Sequence, residues 1–308
     1  MPAEWERLSH LKHNLERRAQ IFDLARDFFC GRGFLEVETP VRVSTVAPEI
    51  NILPIRSENW YLITSPELHM KRLLAAGYQQ IFQISRCFRK HEKGKLHNPE
   101  FSLLEWYRID ANYMDAISDT EQLVTTIIQK LHQPGILRYQ GQVIDMHPPW
   151  PRLSVQDAFI QTAGWDPVNN YNAERFDYDM STMVQPSLNP AQPTVLIDYP
   201  AAAASLARIK MDDPKVAERA EVFIGGIELA NAYSELTDAS EQRYRFMAES
   251  AIIEQEHGMN IPLSEPFLEA VAKLSECGGI ALGMDRLVML LCDATGIDEV
   301  CAFTEDNI

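Results

Sequence analysis

The clearest structural signal in the sequence is the stretch QIFQISRCFRKHEKGKLHNPEFSLLEWYR, residues 80–108. Its two ends, 80–88 and 100–108, are rich in Phe, Ile, Trp and Tyr, the side chains that favour strands. The residues between them are polar and end in a proline-containing turn, so the stretch predicts an antiparallel hairpin with a long loop. Residues 86–101 hold five Lys or Arg against two Glu, which makes the loop cationic.

That cationic loop belongs to an acidic chain of 308 residues with a formal net charge of -16. Phosphate neutralisation dominates nucleic-acid affinity, so this charge argues against a broad surface for DNA or RNA. We expect no DNA partner. A polyanion such as ATP, however, needs only a few cations at one place, which the loop supplies.

The composition also indicates the cellular compartment of the protein. It contains no apolar run of the roughly 20 residues that a membrane span needs, and its N-terminus lacks the pattern of a signal peptide. Its five cysteines are odd in number and form no C-x-x-C motif, so they predict reduced thiols rather than a disulfide framework. We therefore expect a cytoplasmic protein without a membrane partner.

The rest of the chain predicts an α+β fold, an antiparallel sheet flanked by helices, as one catalytic domain over 1–308. Helices are predicted at 8–30, 68–76, 115–132, 240–257 and 265–276. Strands are predicted at 34–40, 61–64, 194–200 and within 221–233. The sequence further predicts a small hairpin at 136–146, a helical insertion at 154–189, and a strand followed by a helix at 277–291.

Two charged positions point to phosphate and metal binding. Arg89 follows a predicted strand, where its planar fork can grip a phosphate at two points, although a surface salt bridge is the alternative. A turn at Gly225-Gly226 would pair Phe223 with Glu228 and place Glu221 on the same face as Glu228. Two carboxylates that converge repel each other without a cation, and Mg²⁺ fits them; a solvated polar face is the alternative.

A third position, Arg286, follows Gly278, Gly279 and Gly283 and opens the last predicted helix. Glycines let backbone approach a ligand closely, and an arginine there can stack on a planar ring. An arginine that caps the helix is the alternative. Zinc binding by Cys87, His91 and His97 is not favoured, because the set lacks a fourth ligand and a standard spacing.

Taken in order, these segments resemble the three signature motifs of class II aminoacyl-tRNA synthetases. The motifs are GFLEVETPV (33–41), FRKHEKGKLHNPEF (88–101) and GIALGMDRL (279–287). TSPELHMKRLL (64–74), HNPEFSLLEWY (97–107) and FIGGIELANAYSELTD (223–238) are similar to the lysine branch, lysyl-tRNA synthetase. The resemblance spans nearly the whole chain and implies ATP-dependent formation of an aminoacyl adenylate.

The resemblance also has two departures that indicate a substrate. The first motif's helix begins within the opening residues, so we expect no anticodon-binding domain and no tRNA partner. Such a truncated core is similar to the ligases that attach (R)-β-lysine to a lysine side chain of elongation factor P. Ala281 stands where lysyl-tRNA synthetases typically have Gly; its methyl group would crowd an α-ammonium, whereas a β-ammonium lies one carbon further on.

The resemblance implies a role for each matching residue. Arg89 and Arg286 would be the catalytic residues that neutralise phosphate charge, with no catalytic base. The implied ATP contacts are Arg89, Lys90, His91, Asn98, Phe101, Glu228, Leu229, Gly283 and Arg286, with the adenine between Phe101 and Arg286. Glu221 and Glu228 would hold Mg²⁺. The implied amino-acid contacts are Ser65, Pro66 and Glu67 at the β-ammonium, Glu105, Tyr107 and Glu235 at the far ammonium, and Ala281 in the floor.

One motif residue departs from the family pattern F-R-x-E, in which the Glu side chain accepts a hydrogen bond from the adenine amino group. This chain has His91 there and Glu92 next to it. Either Glu92 reaches in after a small loop shift, or neutral His91 accepts the hydrogen bond. In the second case ATP affinity would weaken as pH falls through about 6.5, the ordinary histidine pKa.

Two other functions remain open from the sequence. One is a minimal lysyl-tRNA synthetase-like enzyme that uses α-lysine or another acceptor. The other is a non-catalytic regulatory subunit, which we would expect to have lost Arg89, Arg286, Glu221 or Glu228. The resemblance also implies a homodimer that forms through the first-motif helix and the strand at Pro40.

Overall fold

A computed structural model describes residues 4–131 and 135–308. The first element is helix α1, Glu4–Cys30, which confirms the predicted helix and extends it by four residues toward the N-terminus. It ends where Gly31 and Gly33 follow, and Gly33 adopts a positive φ of 80°. Ile21, Ala25 and Phe29 form its buried face.

A mixed sheet of eight strands forms the centre of the described chain. In spatial order the strands are β1 (Leu35–Glu36), β5 (Gln80–Phe88), β6 (Glu100–Ile109), β13 (Cys277–Gly283), β12 (Ile227–Ser234), β11 (Val216–Ile224), β10 (Thr194–Pro200) and β9 (Arg152–Ser154). The inner pairs are antiparallel, as predicted, whereas the edge strands β1 and β9 pair parallel to β5 and β10. The predicted α+β class is confirmed.

The hairpin of β5 and β6 follows the sequence prediction closely. Gln80 pairs with Arg108 and Phe88 with Glu100, so the cationic loop connects two strands of the central sheet. Successive side chains of a strand point to opposite faces of the sheet. Leu104 and Trp106 therefore enter the main hydrophobic core, whereas Leu103, Glu105 and Tyr107 face a cavity on the other side.

The hairpin of β11 and β12 has the predicted turn and one feature that was not predicted. Gly225 and Gly226 have φ values of 58° and 80°, and Phe223 pairs with Glu228. A bulge at Leu229 then shifts the register, so that Glu221 lies opposite Asn231. A bulge bends the strand that carries it and re-aims its side chains. Glu221 and Asn231 become neighbours on the cavity face.

The remaining helices are α2 (Glu67–Ala75), α3 (Tyr113–Lys130), α4 (Val155–Ala163), α5 (Ala173–Asp179), α6 (Gln185–Ser187), α7 (Ala239–His257), α8 (Glu265–Val271) and α9 (Met284–Leu291). Short strands β2 (Arg42–Val43), β3 (Arg56–Ser57) and β4 (Trp60–Leu62) form a second sheet, and β7 (Ile136–Tyr139) pairs with β8 (Gln142–Asp145). The prediction that a helix reaches His132 lies outside the described residues. The predicted insertion is mainly helical and packs its own apolar cluster against β10 and β11.

Helices α1, α3 and α9 cover the core face of the sheet. The Phe29 ring lies 5.0 Å from Phe82 and 4.8 Å from Trp106, centroid to centroid, which ties α1 to the central hairpin. Arg18 of α1 pairs at 2.5 Å with the buried carboxylate of Asp285 in α9. Among the described residues, no helix combines the length and the apolar character that crossing a bilayer requires.

Candidate active site

A cavity of about 370 Å³ lies on the face of the sheet opposite α1 and α3. Most residues predicted for the site line it. They are Ser65, Glu67, Arg89, Asn98, Phe101, Glu105, Tyr107, Glu221, Glu228, Leu229, Glu235, Ala281, Gly283 and Arg286. These positions are spread over more than 220 residues of sequence, and the central strands and the loops at their ends bring them together.

Three predicted residues lie elsewhere. Lys90 and His91 line a neighbouring surface depression, and Pro66 is buried at the start of α2. His91 has a φ of 70°, and its side chain points away from the cavity that Arg89 and Glu92 line. Glu92 does line the cavity, and its Oε1 accepts a hydrogen bond from Arg89 Nη1 at 3.4 Å. Of the two alternatives for the adenine-reading position, the structure places Glu92 in the cavity.

One end of the cavity is acidic, and its carboxyl groups are buried. Glu105 is 1% exposed, and its two carboxyl oxygens accept hydrogen bonds from Ser65 Oγ at 2.7 Å and from Tyr107 Oη at 2.8 Å. Burial raises the pKa of Glu105 to about 8, and the nearby charge of Glu67 adds to the effect. A cation that enters here would restore the ionised form.

Two further carboxylates at this end share one cation from the protein. Lys71, one turn after Glu67 in α2, donates a short hydrogen bond to Glu67 and lies 2.5 Å from Glu235 Oε2. Lys71 and Glu235 are each 1% exposed. Burial raises the pKa of Glu235 to about 7, against the opposing effect of Lys71. We refer to Glu67, Lys71, Glu105 and Glu235 as the acidic end.

The other end of the cavity carries two arginines. The Arg89 guanidinium lies 5.0 Å from the centroid of the Phe101 ring, and its Nε donates to the Thr64 carbonyl at 3.3 Å. Arg286 Nη1 donates to the Glu228 carbonyl at 2.7 Å and Nη2 to His97 Nε2 at 2.7 Å. Because arginine can only donate, His97 accepts through Nε2. Burial lowers the pKa of His97, and Arg286 adds to this.

The α1 helix fixes the position of Arg286 through its neighbour Asp285. Asp285 Oδ2 accepts a hydrogen bond from the Ser102 backbone N–H at 2.8 Å, while its Oδ1 pairs with Arg18. Asn98, on the other side of the cavity, is held between the Glu100 carbonyl and the Glu305 N–H. The first and third motifs are thereby joined to the hairpin of the second.

The two carboxylates predicted for a metal, Glu221 and Glu228, both line the cavity at its arginine end. Glu221 Oε1 accepts from Arg219 Nη2 at 2.7 Å, and burial and the charge of Glu228 raise the pKa of Glu221. Mg²⁺ is commonly bound through one or two carboxylates with substrate phosphates, so this pair fits it. Within 4–131 and 135–308, no group of three or more His, Cys, Asp or Glu is arranged to hold a metal.

Sequence reasoning missed several polar residues of the cavity. They are Glu49, Asn51, Glu92 as a preferred contact, His97 as an Arg286 partner, Arg219, Asn231 and Tyr233. Glu49 is one of these, and burial raises its pKa to about 7. Glu49 and Asn51 belong to a loop without a motif. Arg219 shares the face of Glu221, two residues further along β11, and Asn231 comes to lie opposite Glu221 through the unpredicted bulge. Lys71, beneath the cavity, was also not predicted, although its four-residue spacing from Glu67 is typical of an ion pair on a helix.

Comparisons with known proteins identify the family of the chain. The family model for tRNA synthetases class II (D, K and N) matches residues 4–307. A protein from Baumannia cicadellinicola subsp. Homalodisca coagulata, named elongation factor P–(R)-β-lysine ligase, is 41% identical over 315 residues, 95% of each chain. Proteins of the same name from Klebsiella pneumoniae and Salmonella paratyphi A are 40% and 38% identical, each over 96% of this chain and 95% of their own length. The chain therefore belongs to the class II tRNA synthetase family of the D, K and N type, among relatives named elongation factor P–(R)-β-lysine ligases.

Proposed function

We propose that this protein is an ATP-dependent ligase that activates (R)-β-lysine as an adenylate and transfers it to a lysine side chain of elongation factor P. The names of its relatives support this substrate and acceptor. The observation that carries the proposal is the polarity of the cavity, with buried carboxylates at one end and Arg89 and Arg286 at the other. A diamino acid fits between these two ends, with its ammonium groups at the buried carboxylates and its carboxylate toward the α-phosphate of ATP.

In the first step the substrate carboxylate attacks the α-phosphorus of ATP, and pyrophosphate leaves. The carboxylate is already ionised at neutral pH, so alignment and charge neutralisation carry the catalysis. Arg89 would hold the α-phosphate, and Arg286 with Phe101 would hold the adenine. Glu221 and Glu228 would hold Mg²⁺, which when bound neutralises charge on the phosphate oxygens.

The adenine amino group needs an acceptor, and we assign that role to Glu92 rather than His91. Glu92 lines the cavity beside Arg89, whereas His91 opens onto the neighbouring depression. This assignment removes the histidine titration as a source of pH-dependent ATP affinity. A Glu92→Gln variant with weakened ATP affinity, beside a His91→Ala variant with normal affinity, would support it; the reverse pattern would contradict it.

At the amino-acid end, Glu67 would anchor the β-ammonium, while Glu105, Tyr107 and Glu235 would hold the far ammonium. Ala281 lies in β13 between Asn231 of β12 and Glu105 of β6, so its methyl group adds bulk to the cavity floor. That bulk is what favours a β-amino over an α-amino substrate in this proposal. In the second step the acceptor lysine amine attacks the activated carbonyl, and AMP leaves.

One assay distinguishes the proposed activity from its alternatives. Pyrophosphate exchange should be measured side by side with (R)-β-lysine and α-lysine. We expect exchange with (R)-β-lysine to dominate, and equal or greater exchange with α-lysine coupled to tRNA charging would refute the assignment. An Arg89→Ala variant should lose adenylate formation; a near wild-type rate would show that the residue assignment is wrong. A regulatory subunit would show no exchange with either amino acid.

We further propose that the chain acts as one catalytic unit and as a homodimer. The central sheet takes strands from β1 to β13, which supports a single unit. Leu35 and Val41, beside Pro40 in the first motif, are 50% and 39% exposed and offer apolar surface for a second copy. Sedimentation of the protein with Leu35→Glu should show the monomer, and an unchanged dimer would place the interface elsewhere.

A further inference from the structure

The transfer step has a chemical requirement that the residues assigned above do not meet. A lysine side chain has an ordinary pKa of about 10.4, so the acceptor reaches the site as an ammonium near pH 7. An ammonium has no free electron pair and cannot attack a carbonyl. The activation step needs no base, because its nucleophile is an ionised carboxylate. The transfer step needs a group that takes a proton from the acceptor nitrogen.

Glu49 is a carboxylate in the cavity wall that the proposed reaction does not use. It lies in the loop between β2 and β3 and is partly exposed. Its side chain makes no hydrogen bond and no ion pair with residues 4–131 or 135–308. The other carboxylates and the imidazole that line the cavity all have such partners. These are Lys71 for Glu67 and Glu235, Arg89 for Glu92, Ser65 and Tyr107 for Glu105, Arg219 for Glu221, Arg286 for Glu228 and His97, and Arg18 for Asp285.

The backbone around Glu49 is fixed although its side chain is unpaired. The Ile50 N–H donates to Glu249 Oε2 of α7 at 3.0 Å, and the Ile52 N–H donates to the Glu49 carbonyl at 3.0 Å. Ala47 belongs to the apolar cluster that packs α2 against α8. Functional groups need a support of this kind, because packing and hydrogen bonds around them keep the reactive geometry.

The charges that act on Glu49 locate it within the site. The two strongest are those of Glu67 and Arg89. In the proposed function Glu67 anchors the β-ammonium and Arg89 holds the α-phosphate, so the acyl–phosphate bond of the adenylate lies between these two residues. Glu49 is near both, and it therefore lies beside the carbonyl carbon that the acceptor nitrogen attacks.

The surroundings of Glu49 suit a proton acceptor that works near neutral pH. Burial and the neighbouring carboxylates raise the pKa of Glu49 to about 7, and the neighbouring arginines oppose this rise. A general base is most effective when its pKa lies near the working pH. Burial also raises the pKa of the Tyr233 phenol, which is therefore neutral. The charged and titratable groups that face Glu49 are Glu67 from α2, Arg89 after β5, Arg219 from β11, Tyr233 from β12 and Glu249 from α7.

We propose that Glu49 is the general base of the transfer step. Its carboxylate takes one proton from the acceptor ammonium, and the freed electron pair of the nitrogen forms the C–N bond with the adenylate carbonyl carbon. The C–O bond to AMP then breaks, and its electron pair goes to the phosphate oxygen. The second proton of the nitrogen leaves to that phosphate or to water, and Glu49 returns its own proton to water. This role rests on the proposed function for the identity of the acceptor.

The experiment follows a single turnover from the preformed adenylate to two acceptors, elongation factor P and hydroxylamine. Hydroxylamine is neutral near pH 7 and needs no base, so its hydroxamate product reports activation and folding alone. Glu49→Gln should transfer to elongation factor P about 100-fold more slowly than wild type at pH 7, with little change in hydroxamate formation. Glu249→Gln is the matched control, because it removes a neighbouring carboxylate but keeps an oxygen for the Ile50 N–H, and it should transfer like wild type. An equal loss with both acceptors, or no loss with either, would refute the proposal.

The pH dependence of the wild type gives a second test that needs no variant. Transfer to elongation factor P should rise as Glu49 ionises and level off above about pH 7. Without a base the rate would keep rising toward the pKa of the acceptor lysine, so a steady climb to pH 9 would contradict the role of Glu49. Failure of the proposed function is distinguishable, because it appears in the wild type as missing hydroxamate with (R)-β-lysine or as missing transfer to elongation factor P.

Discussion

Gly279 is the position in β13 where the acidic end leaves no room for a side chain. A Cβ at this position would lie under 3.0 Å from the Tyr107 ring and from Glu235 Oε1. Non-bonded carbon atoms prefer about 3.5–4.0 Å, so a Gly279→Ala variant must push these two groups away by about 1 Å. Both groups are proposed to hold the far ammonium of the substrate.

We expect this displacement to act mainly on the amino acid. A misplacement of about 1 Å can cost on the order of 100-fold in rate, so kcat/KM for (R)-β-lysine in pyrophosphate exchange should fall by about that factor. The KM for ATP should change little, since the arginine end is not touched. Overpacking should also lower the free energy of unfolding by about 1–3 kcal/mol.

The adjacent glycine provides a matched control. A Cβ at Gly278 would collide with the backbone of Asn112, on the face of the sheet away from the cavity. Gly278→Ala should therefore lose stability in urea unfolding without a selective rise in the KM for the amino acid. A Gly279→Ala variant with wild-type KM for the amino acid, or the same rise in KM in Gly278→Ala, would show that Gly279 does not make room for the substrate contacts.

The remaining predictions test other parts of the site. Folded Glu105 keeps a proton between its ordinary pKa of 4.5 and about 8 that the unfolded chain has released, so its contribution to stability is lost as pH rises through that window. A diamine needs the ionised form, so the rise in Tm that it causes should grow from pH 6 to 8, and Glu105→Gln should reduce this growth to the part that Glu235, with a pKa of about 7, contributes. Arg18→Met leaves buried Asp285 unpaired and should lower the free energy of unfolding by about 3–5 kcal/mol in urea, with partial recovery in the double variant with Asp285→Asn. Arg89→Lys loses the two-point grip and should slow pyrophosphate exchange by about 100-fold, without a loss of Tm. Glu221→Gln should raise the Mg²⁺ concentration needed for half-maximal exchange, and an unchanged requirement would remove Glu221 as a ligand.

The sequence predicted the parts of the fold whose signals are local. The β5 and β6 hairpin and the Gly225-Gly226 turn follow from strand-forming residues and turn glycines that lie next to each other in the chain. The strand at 34–40 is shorter than predicted, since only Leu35–Glu36 pairs with β5. Proline lacks the backbone donor that would extend the pairing at Pro40.

The parts that were missed depend on tertiary contacts. Glu221 lies opposite Asn231 because of the bulge at Leu229, and no residue type in the hairpin predicts that bulge. Lys71 has the spacing of an ordinary surface ion pair with Glu67, and only burial beneath Glu235 makes it part of the site. The positive φ of His91 likewise depends on how the whole loop closes.

We propose that this chain joins (R)-β-lysine to elongation factor P. The most direct test of this proposal is the intact mass of elongation factor P after incubation with the purified protein, ATP, Mg²⁺ and either (R)-β-lysine or α-lysine. We expect the addition of one lysyl mass with (R)-β-lysine, much less with α-lysine, and none when Arg89→Ala replaces the wild type. An unmodified elongation factor P, or equal addition from α-lysine, would contradict it.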